Sequence, residues 1–199
     1  MIITVDIETS GVDPNKNSIL SIGAVSYEDP DNQFYGECRA REGSEINPKA
    51  LEINDFTEEK AHDENLQTEE ELVKEFFSWW NKIPNPKIIA GQNIHFDWAF
   101  LKTTATMYGI EDNLGYRMID QHSIAFAHLV ANKKELPTLE GSYKVISDFI
   151  MDYVGIPEEP KPHNALNGAI WETEALGRLM EGKNILEQFK DHPIPDHLK

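Results

Sequence analysis

The chain opens on "MIITVDIET", where Ile2, Ile3, Val5 and Ile7 bracket two carboxylates, Asp6 and Glu8, set at a strand's own period of two. The run predicts an interior β-strand with both acids on one face, roughly 6–7 Å apart. A second strand is expected in "NSILSIGAVSYE" (17–28), through Ile19, Leu20, Ile22 and Val25, and a third in "NQFYGECRA" (32–40). The turn-forming "EDPDN" between them makes the pair a hairpin or meander. An irregular acidic passage follows, "INPKALEINDFTEEKAHDEN" (46–65), and then the period changes. "EELVKEFFSWWNKI" (70–83) places Leu72, Val73, Phe76, Phe77, Trp80 and Ile83 on a broad helical stripe that "PNPK" stops.

"KIIAGQN" (87–93) predicts a short apolar strand, and "FDWAFLKTTATMYG" (96–109) a helix with Gly109 as its C-cap. "YRMID" (116–120) is another short strand, followed by a helix to about Ala131. "YKVISDFIMDYVG" (143–155) predicts an amphipathic helix that groups Ile146, Phe149, Ile150, Tyr153 and Val154 and ends at Gly155. The last helix starts near Asn164, after Pro162 ends the preceding segment, and runs to about Glu181. Strands first, then helices alternating with short strands, indicate an α/β fold with helices covering a mixed sheet. Residues 183–199, rich in charge, His and Pro, read as an accessory tail to a single domain over 1–182.

Composition narrows the class. At 199 residues and 40% apolar content the chain can bury a sizeable core and is not globally disordered. A single cysteine, Cys38, excludes an internal disulfide framework and a Cys-based zinc site. No positively charged start leads into an apolar stretch and no run approaches a membrane span, so a soluble, cytoplasmic protein is expected. The net charge of −17 weighs against an extended duplex-binding surface, because affinity there comes from neutralising phosphates with Lys and Arg. Any polynucleotide footprint should be small, such as the end of one strand held with the help of cations.

Three segments carry candidate chemistry. Asp6 and Glu8 repel one another, and burying an ionised carboxylate without a partner costs several kcal/mol. A divalent cation removes both penalties, and oxygen ligands suit Mg²⁺ or Mn²⁺. The ordinary alternative is a strand end near solvent or a lysine. Thr9, Ser10 and Gly11 then form a tight polar turn at the strand's C-terminal edge, where α/β ligand sites lie. In "GQNIHFDWAF", Asp97 starts a helix after an apolar strand, where it reads equally as a first-turn acid. His95, two positions earlier, reads as structural or adjacent to substrate. In "KPHNALNGAIWETEA", Asn164 is a candidate N-cap and His163 lies just outside the helix, free to take a proton from an attacking water or to serve as a capping or surface residue.

Together these segments resemble the three motifs of the DEDDh subgroup of DnaQ-like 3′–5′ exonucleases. "DIETSG" resembles the first, "NIHFD" the second and "HNAL" the third, while "SIGAV" and "INPKALEIND" resemble the framework; the likeness spans about residues 2–181. It implies a ribonuclease-H-like three-layer α/β fold, with a largely five-stranded mixed sheet between helices. It implies Asp6, Glu8 and Asp97 as metal-site carboxylates, His163 as general base, and two Mg²⁺ or Mn²⁺ ions bracketing the terminal phosphodiester. The implied substrate is the 3′ end of single-stranded DNA or RNA, released as nucleoside 5′-monophosphates. The turn Thr9, Ser10 and Gly11, with Gln92, Asn93 and Phe96, would surround the terminal nucleotide, and Lys133, Lys134 and Lys144 are candidate phosphate contacts.

One departure matters. The family places a fourth carboxylate five residues after the His, and here that residue is Gly168. Glu172 lies one turn beyond it on the same helical face, with its Cα about 6 Å from the expected ligand's. A weakened ion position and reduced turnover follow, unless Glu172 or a water fills the gap; small residues in helices also permit close packing. The competing function is a catalytically inactive module of the same fold that binds a nucleic-acid end or a protein. No membrane partner is expected, and a protein partner or homodimer is left open.

Overall fold

The computed structural model describes residues 1–199 except Asp55 and Pro162, so the expected role of Pro162 lies outside the described residues. A five-stranded mixed sheet forms the middle layer, built from β1 (Ile2–Thr9), β2 (Ile19–Ser26), β3 (Asp29–Glu37), β4 (Ile88–Gly91) and β5 (Met118–Asp120). Their order is β3-β2-β1-β4-β5; β2 runs antiparallel to both β1 and β3, while β4 and β5 run parallel to β1. The predicted meander and interior first strand are therefore present, and β1 is the centre of the sheet.

Strand alternation decides what each face of β1 meets. Ile3, Val5 and Ile7 point into a core shared with α3 (Glu69–Lys82) and α4 (His95–Met107), through Phe76, Trp80, Phe100 and Leu101. Thr4, Asp6 and Glu8 point the other way, toward α7 (Ala165–Glu181), where the Thr173 hydroxyl lies 2.9 Å from that of Thr4. The start of α7 lies directly on β2 at Gly23, where an added Cβ would overlap the carbonyl of Ala165. Gly23 pairs with Asp6 across the strands, so this close approach puts the first turns of α7 over the acidic end of β1.

Helix termini follow local chemistry. Thr68 and Glu71 form a reciprocal capping box at the start of α3, and Asn164 accepts from Leu166 and Asn167 N–H at the start of α7. Gly155 and Gly182 take left-handed φ values of 77° and 63° after α6 (Ser147–Val154) and α7. Tyr108 caps α4, with Gly109 following at φ 64°. The helix after β5 is α5 (Gln121–Ala131), capped by Asp120.

Three expectations need correction. The passage 46–65 contains two short helices, α1 (Pro48–Ile53) and α2 (Glu58–Ala61), whose Leu51 and Ala61 pack with Phe56 on Leu20. Helix α6 begins only at Ser147; Tyr143 instead belongs to a small hairpin of β6 (Thr138–Leu139) and β7 (Ser142–Tyr143). Finally, 183–199 is no appendage. Leu186, Phe189 and Leu198 are buried in a second core with α5, α6 and α7.

Arg178, fully buried, fastens that segment. It pairs with Glu174 at 2.7 Å and donates to the carbonyls of Val154, Phe189 and His192, while Glu174 Oε2 accepts from Ile185 and Leu186 N–H. Among the described residues, no helix is long and apolar enough to cross a membrane.

Candidate active site

At the C-terminal end of β1 the sheet opens. Strand β4 pairs with β1 only as far as Thr4, which leaves the Ile7 N–H without a strand partner on that side. Asp97, in the first turn of α4, fills the gap: its Oδ1 accepts from Ile7 N at 3.0 Å. The second motif thus meets the first strand directly, between its two acids. Asp97 is buried at 4% exposure, and no cap hydrogen bond from a side chain is formed at Ile94.

The third segment closes the site from above. A cleft of about 220 Å³ is lined by Asp6, Glu8, Ile53, Gln92, Glu159, His163, Gly168, Trp171 and Glu172, among others. Asp6 and Glu8 are half-buried at its floor. A recess of about 100 Å³ continues past Glu8 and His163 to Tyr35, Asn54 and Lys60. His163 Nδ1 lies 3.0 Å from Glu159 Oε2, whose other oxygen accepts from Asn164 N–H at 3.3 Å. A carboxylate can only accept, so Nδ1 carries a proton toward Glu159, and no hydrogen bond engages Nε2 among the described residues. Glu159 is a partner that the sequence reading missed; its spacing of four residues from His163, outside any helix, gave no signal.

Electrostatics set these acids apart from the structural ones. Glu69 is fully buried too, but Arg41 lies 3.3 Å away, and Ser18, Ile19 N–H and Tyr108 donate to it. Glu174 has Arg178. Asp6, Glu8, Asp97 and Glu172 form no ion pair with Lys or Arg among the described residues.

Burial, then repulsion from Glu172, Glu8 and Asp97, pushes the Asp6 carboxyl well above its ordinary range. Burial likewise raises Asp97 and Glu172, against backbone N–H donors from Ile7 and Gln92 respectively. Burial pushes Glu8 up to about 7, with His163 and Asn54 pulling it down and Glu159 adding to the rise. Like charges gathered without a basic partner call for an external cation or bound protons.

The donor set fits a hard cation: carboxylate oxygens only, one of them, Glu172 Oε2, buried without any hydrogen-bond partner. In their present rotamers, no three His, Cys, Asp or Glu side chains among the described residues converge as a ready-made metal cage. One reason is visible at Asp97, whose Oδ1 is engaged with the backbone of β1.

The surrounding predicted residues divide. Gln92 lines the cleft with its Oε1 unpartnered and its Nε2 3.4 Å from Val145 O. Asn93 is exposed at φ 51° in the β4–α4 turn, and Phe96 packs on Phe100 with centroids 4.9 Å apart. Thr9, Ser10 and Gly11 are buried and do not line the cleft. Ser10 N–H donates to Ser18 O at 2.8 Å, its hydroxyl donates to Glu45 O, and Thr9 Oγ1 donates to Gly11 O, so this turn's polar groups bind each other. His95 is exposed, as are Lys133, Lys134 and Lys144. A larger open depression of about 920 Å³ lies over 57–65, bordered by Glu58, Glu59, Asp63 and Glu64, the solvated acidic face of α2.

Comparison with known proteins identifies the family and the fold. Residues 1–180 match the family model described as the 3′-5′ exoribonuclease Rv2179c-like domain. The chain is 30% identical over 183 residues to the 3′-5′ DNA exonuclease Cap18 of Escherichia coli, covering 90% of each. Among solved structures, cell-death related nuclease 4 (CRN-4) superposes with a TM-score of 0.70 at 13% identity, over 92% of this chain and 64% of that one. E. coli Exonuclease I in complex with a dT13 oligonucleotide gives 0.70 at 16% identity, over 89% of this chain and 40% of that one. These two likenesses show the fold, and the chain spans less than two thirds of either structure. The three-layer architecture is ribonuclease-H-like, as the sequence resemblance implied.

Proposed function

Because the chain belongs to the Rv2179c-like family of 3′-5′ exoribonucleases, within the DnaQ-like exonucleases, we propose that its acidic cleft is a metal-dependent 3′–5′ exonuclease site. The substrate is the 3′ end of a single strand of DNA or RNA, and the products are nucleoside 5′-monophosphates. What supports this reading is that Asp6 and Glu8 line one cleft with His163, that Asp97 bonds the β1 backbone at Ile7 between those two acids, and that none of the three acids pairs with Lys or Arg among the described residues. A purely structural acid cluster would have acquired an arginine, as Glu69 and Glu174 have.

Asp6, Glu8 and Asp97 are the residues to hold Mg²⁺ or Mn²⁺. When bound, that charge neutralises the scissile phosphodiester and makes an attacking water more acidic. His163 takes the proton from the water at Nε2, with Glu159 holding the ring from Nδ1. The water oxygen bonds to phosphorus, the 3′ oxygen of the penultimate nucleotide leaves, and the terminal nucleotide departs as a 5′-monophosphate. Gln92 offers an unpartnered amide oxygen to the terminal nucleotide, while Asn93 and Phe96 flank it. Thr9, Ser10 and Gly11 are buried outside the cleft lining, and the Thr9 and Ser10 hydroxyls are already spent on backbone carbonyls. The cleft, at about 220 Å³, is too small for a duplex, in line with the small polynucleotide footprint expected from the net charge of −17.

The test is a 5′-labelled single strand, DNA and RNA in parallel, incubated with Mn²⁺ or Mg²⁺. A ladder shortening from the 3′ end, absent with a 3′-blocked strand, with chelator or in Asp6→Asn, is expected. Binding of the strand end without any shortening by the parent protein would favour the inactive module instead.

A further inference from the structure

The gap at residue 168 is filled in an unexpected way. Helix α7 presents Ala165, Gly168, Ala169, Glu172 and Thr173 to the sheet, all buried. Its register is pinned at one end by Gly23 under Ala165 and at the other by the Thr173–Thr4 contact. Between these points the Asp6 side chain rises into the space under Gly168: a Cβ there would overlap Asp6 Oδ2 and stand 2.7 Å from Asp6 Cγ. The position where a fourth carboxylate would start is therefore occupied by the carboxyl of Asp6 itself.

One turn on, Glu172 lines the same cleft as Asp6 and Gly168. It is 94% buried, at 6% exposure, yet it lines the cleft, and its Oε2 has no hydrogen-bond partner. That oxygen lies 3.0 Å from where a Cβ on Gly91 would be, at the end of β4, so a second glycine leaves room for it. Repulsion from Glu172 is the leading charge effect on Asp6, and repulsion from Asp97 the leading one on Glu172. Glu172 thus lies in the field of both family acids with an oxygen unused. A buried carboxylate oxygen without a donor is costly in any purely structural role.

We propose that Glu172 is the fourth carboxylate of a divalent-cation site shared with Asp6, supplied from one helical turn beyond position 168, and that Gly168 makes the room for Asp6 that this exchange requires. The inference rests on the metal-dependent reading above and deepens it. Gly168 is then the complement of Glu172 rather than a lesion.

The experiment is calorimetric titration of the metal-stripped full chain with Mn²⁺, paired with thermal melting with and without Mn²⁺. It compares the parent, Glu172→Gln, Glu172→Asp and Glu75→Gln, the last altering an exposed acid on α3. Glu172→Gln should bind Mn²⁺ at least tenfold more weakly and lose most of the Mn²⁺-induced rise in Tm. Its metal-free form should melt no lower than the parent, because a repulsive charge has gone. Glu172→Asp, keeping the charge on a shorter stem, should fall between, and Glu75→Gln should match the parent. Equal Mn²⁺ affinity in the parent and Glu172→Gln would overturn the proposal while leaving the metal-dependent reading intact. A parent that binds no Mn²⁺ at all would overturn both.

Discussion

Replacing Gly168 by alanine adds one methyl group at the point where helix and acid meet. Two opposing effects can be sized. Alanine in place of glycine inside a helix stabilises by about 1 kcal/mol. Against this, the new Cβ would overlap Asp6 Oδ2 and come within 2.7 Å of Asp6 Cγ, and overpacking of this kind costs typically about 1–3 kcal/mol. The obstacle is the end of a short side chain, so Asp6 can rotate away, which keeps the cost in the lower half of that range. The net expectation for metal-free protein is a loss of between zero and about 1 kcal/mol, or a fall in Tm of up to about 4 °C for a chain this size. A displaced Asp6 can no longer meet a cation as before, so Mn²⁺ affinity should fall at least tenfold although no ligand has been removed. Differential scanning calorimetry with and without Mn²⁺ measures both. A rise in Tm of about 2–4 °C with unchanged Mn²⁺ affinity would mean that the space at 168 does not belong to Asp6.

Three further outcomes follow from the geometry. Glu8 is raised from 4.5 to about 7, and Asp6, Asp97 and Glu172 are raised too, so each binds its proton more tightly folded than unfolded. Their contribution is complete at low pH and is lost as pH climbs through the folded values; for Glu8 alone that is about 3 kcal/mol between roughly pH 4.5 and 7. Metal-free protein should therefore melt lower at pH 8 than at pH 5.5, and Mn²⁺ should restore most of the difference. Glu159→Gln removes the carboxylate that holds His163 Nδ1 at 3.0 Å, and kcat should fall about tenfold with little change in KM. Ending the chain at Gly182 strips Arg178 of the Phe189 and His192 carbonyls and Glu174 of two N–H donors. Disrupting such a buried pair costs about 3–5 kcal/mol, so the shortened chain should melt more than about 10 °C lower or fail to fold.

Much of the fold is written in local periodicity. The first strand, the long α3 and the last helix are strongly patterned, and each lies within a residue or two of its expected place. The mixed, largely five-stranded character of the sheet came from the alternation of strands and helices with the family likeness, whereas its strand order is seen only in the structure. Where local pattern is weak the reading failed. Helices α1 and α2 have six and four residues, too few to show a period, and form because Leu51, Phe56 and Ala61 find Leu20. The 183–199 segment has its anchors, Leu186, Phe189 and Leu198, scattered among prolines and charges, and what holds it is an arginine in another helix.

Asp6, Glu8, Asp97 and His163 stand out as candidates in the sequence because each sits at the edge of a patterned element. Glu172 was visible only as a helical neighbour of Gly168. Its Oε2 sits against Gly91 while Asp6 takes the space under Gly168, facts of tertiary packing that no single segment contains.

If three distant segments build one cation pocket, anomalous scattering from Mn²⁺-soaked crystals will locate the ion in it. A Mn²⁺ peak is expected at coordination distance, about 2.0–2.3 Å, from carboxylate oxygens of both Asp6 and Glu172. Saturating Mn²⁺ that leaves Asp6 and Glu172 without a peak, or that binds only at exposed acids such as those of α2, would contradict it.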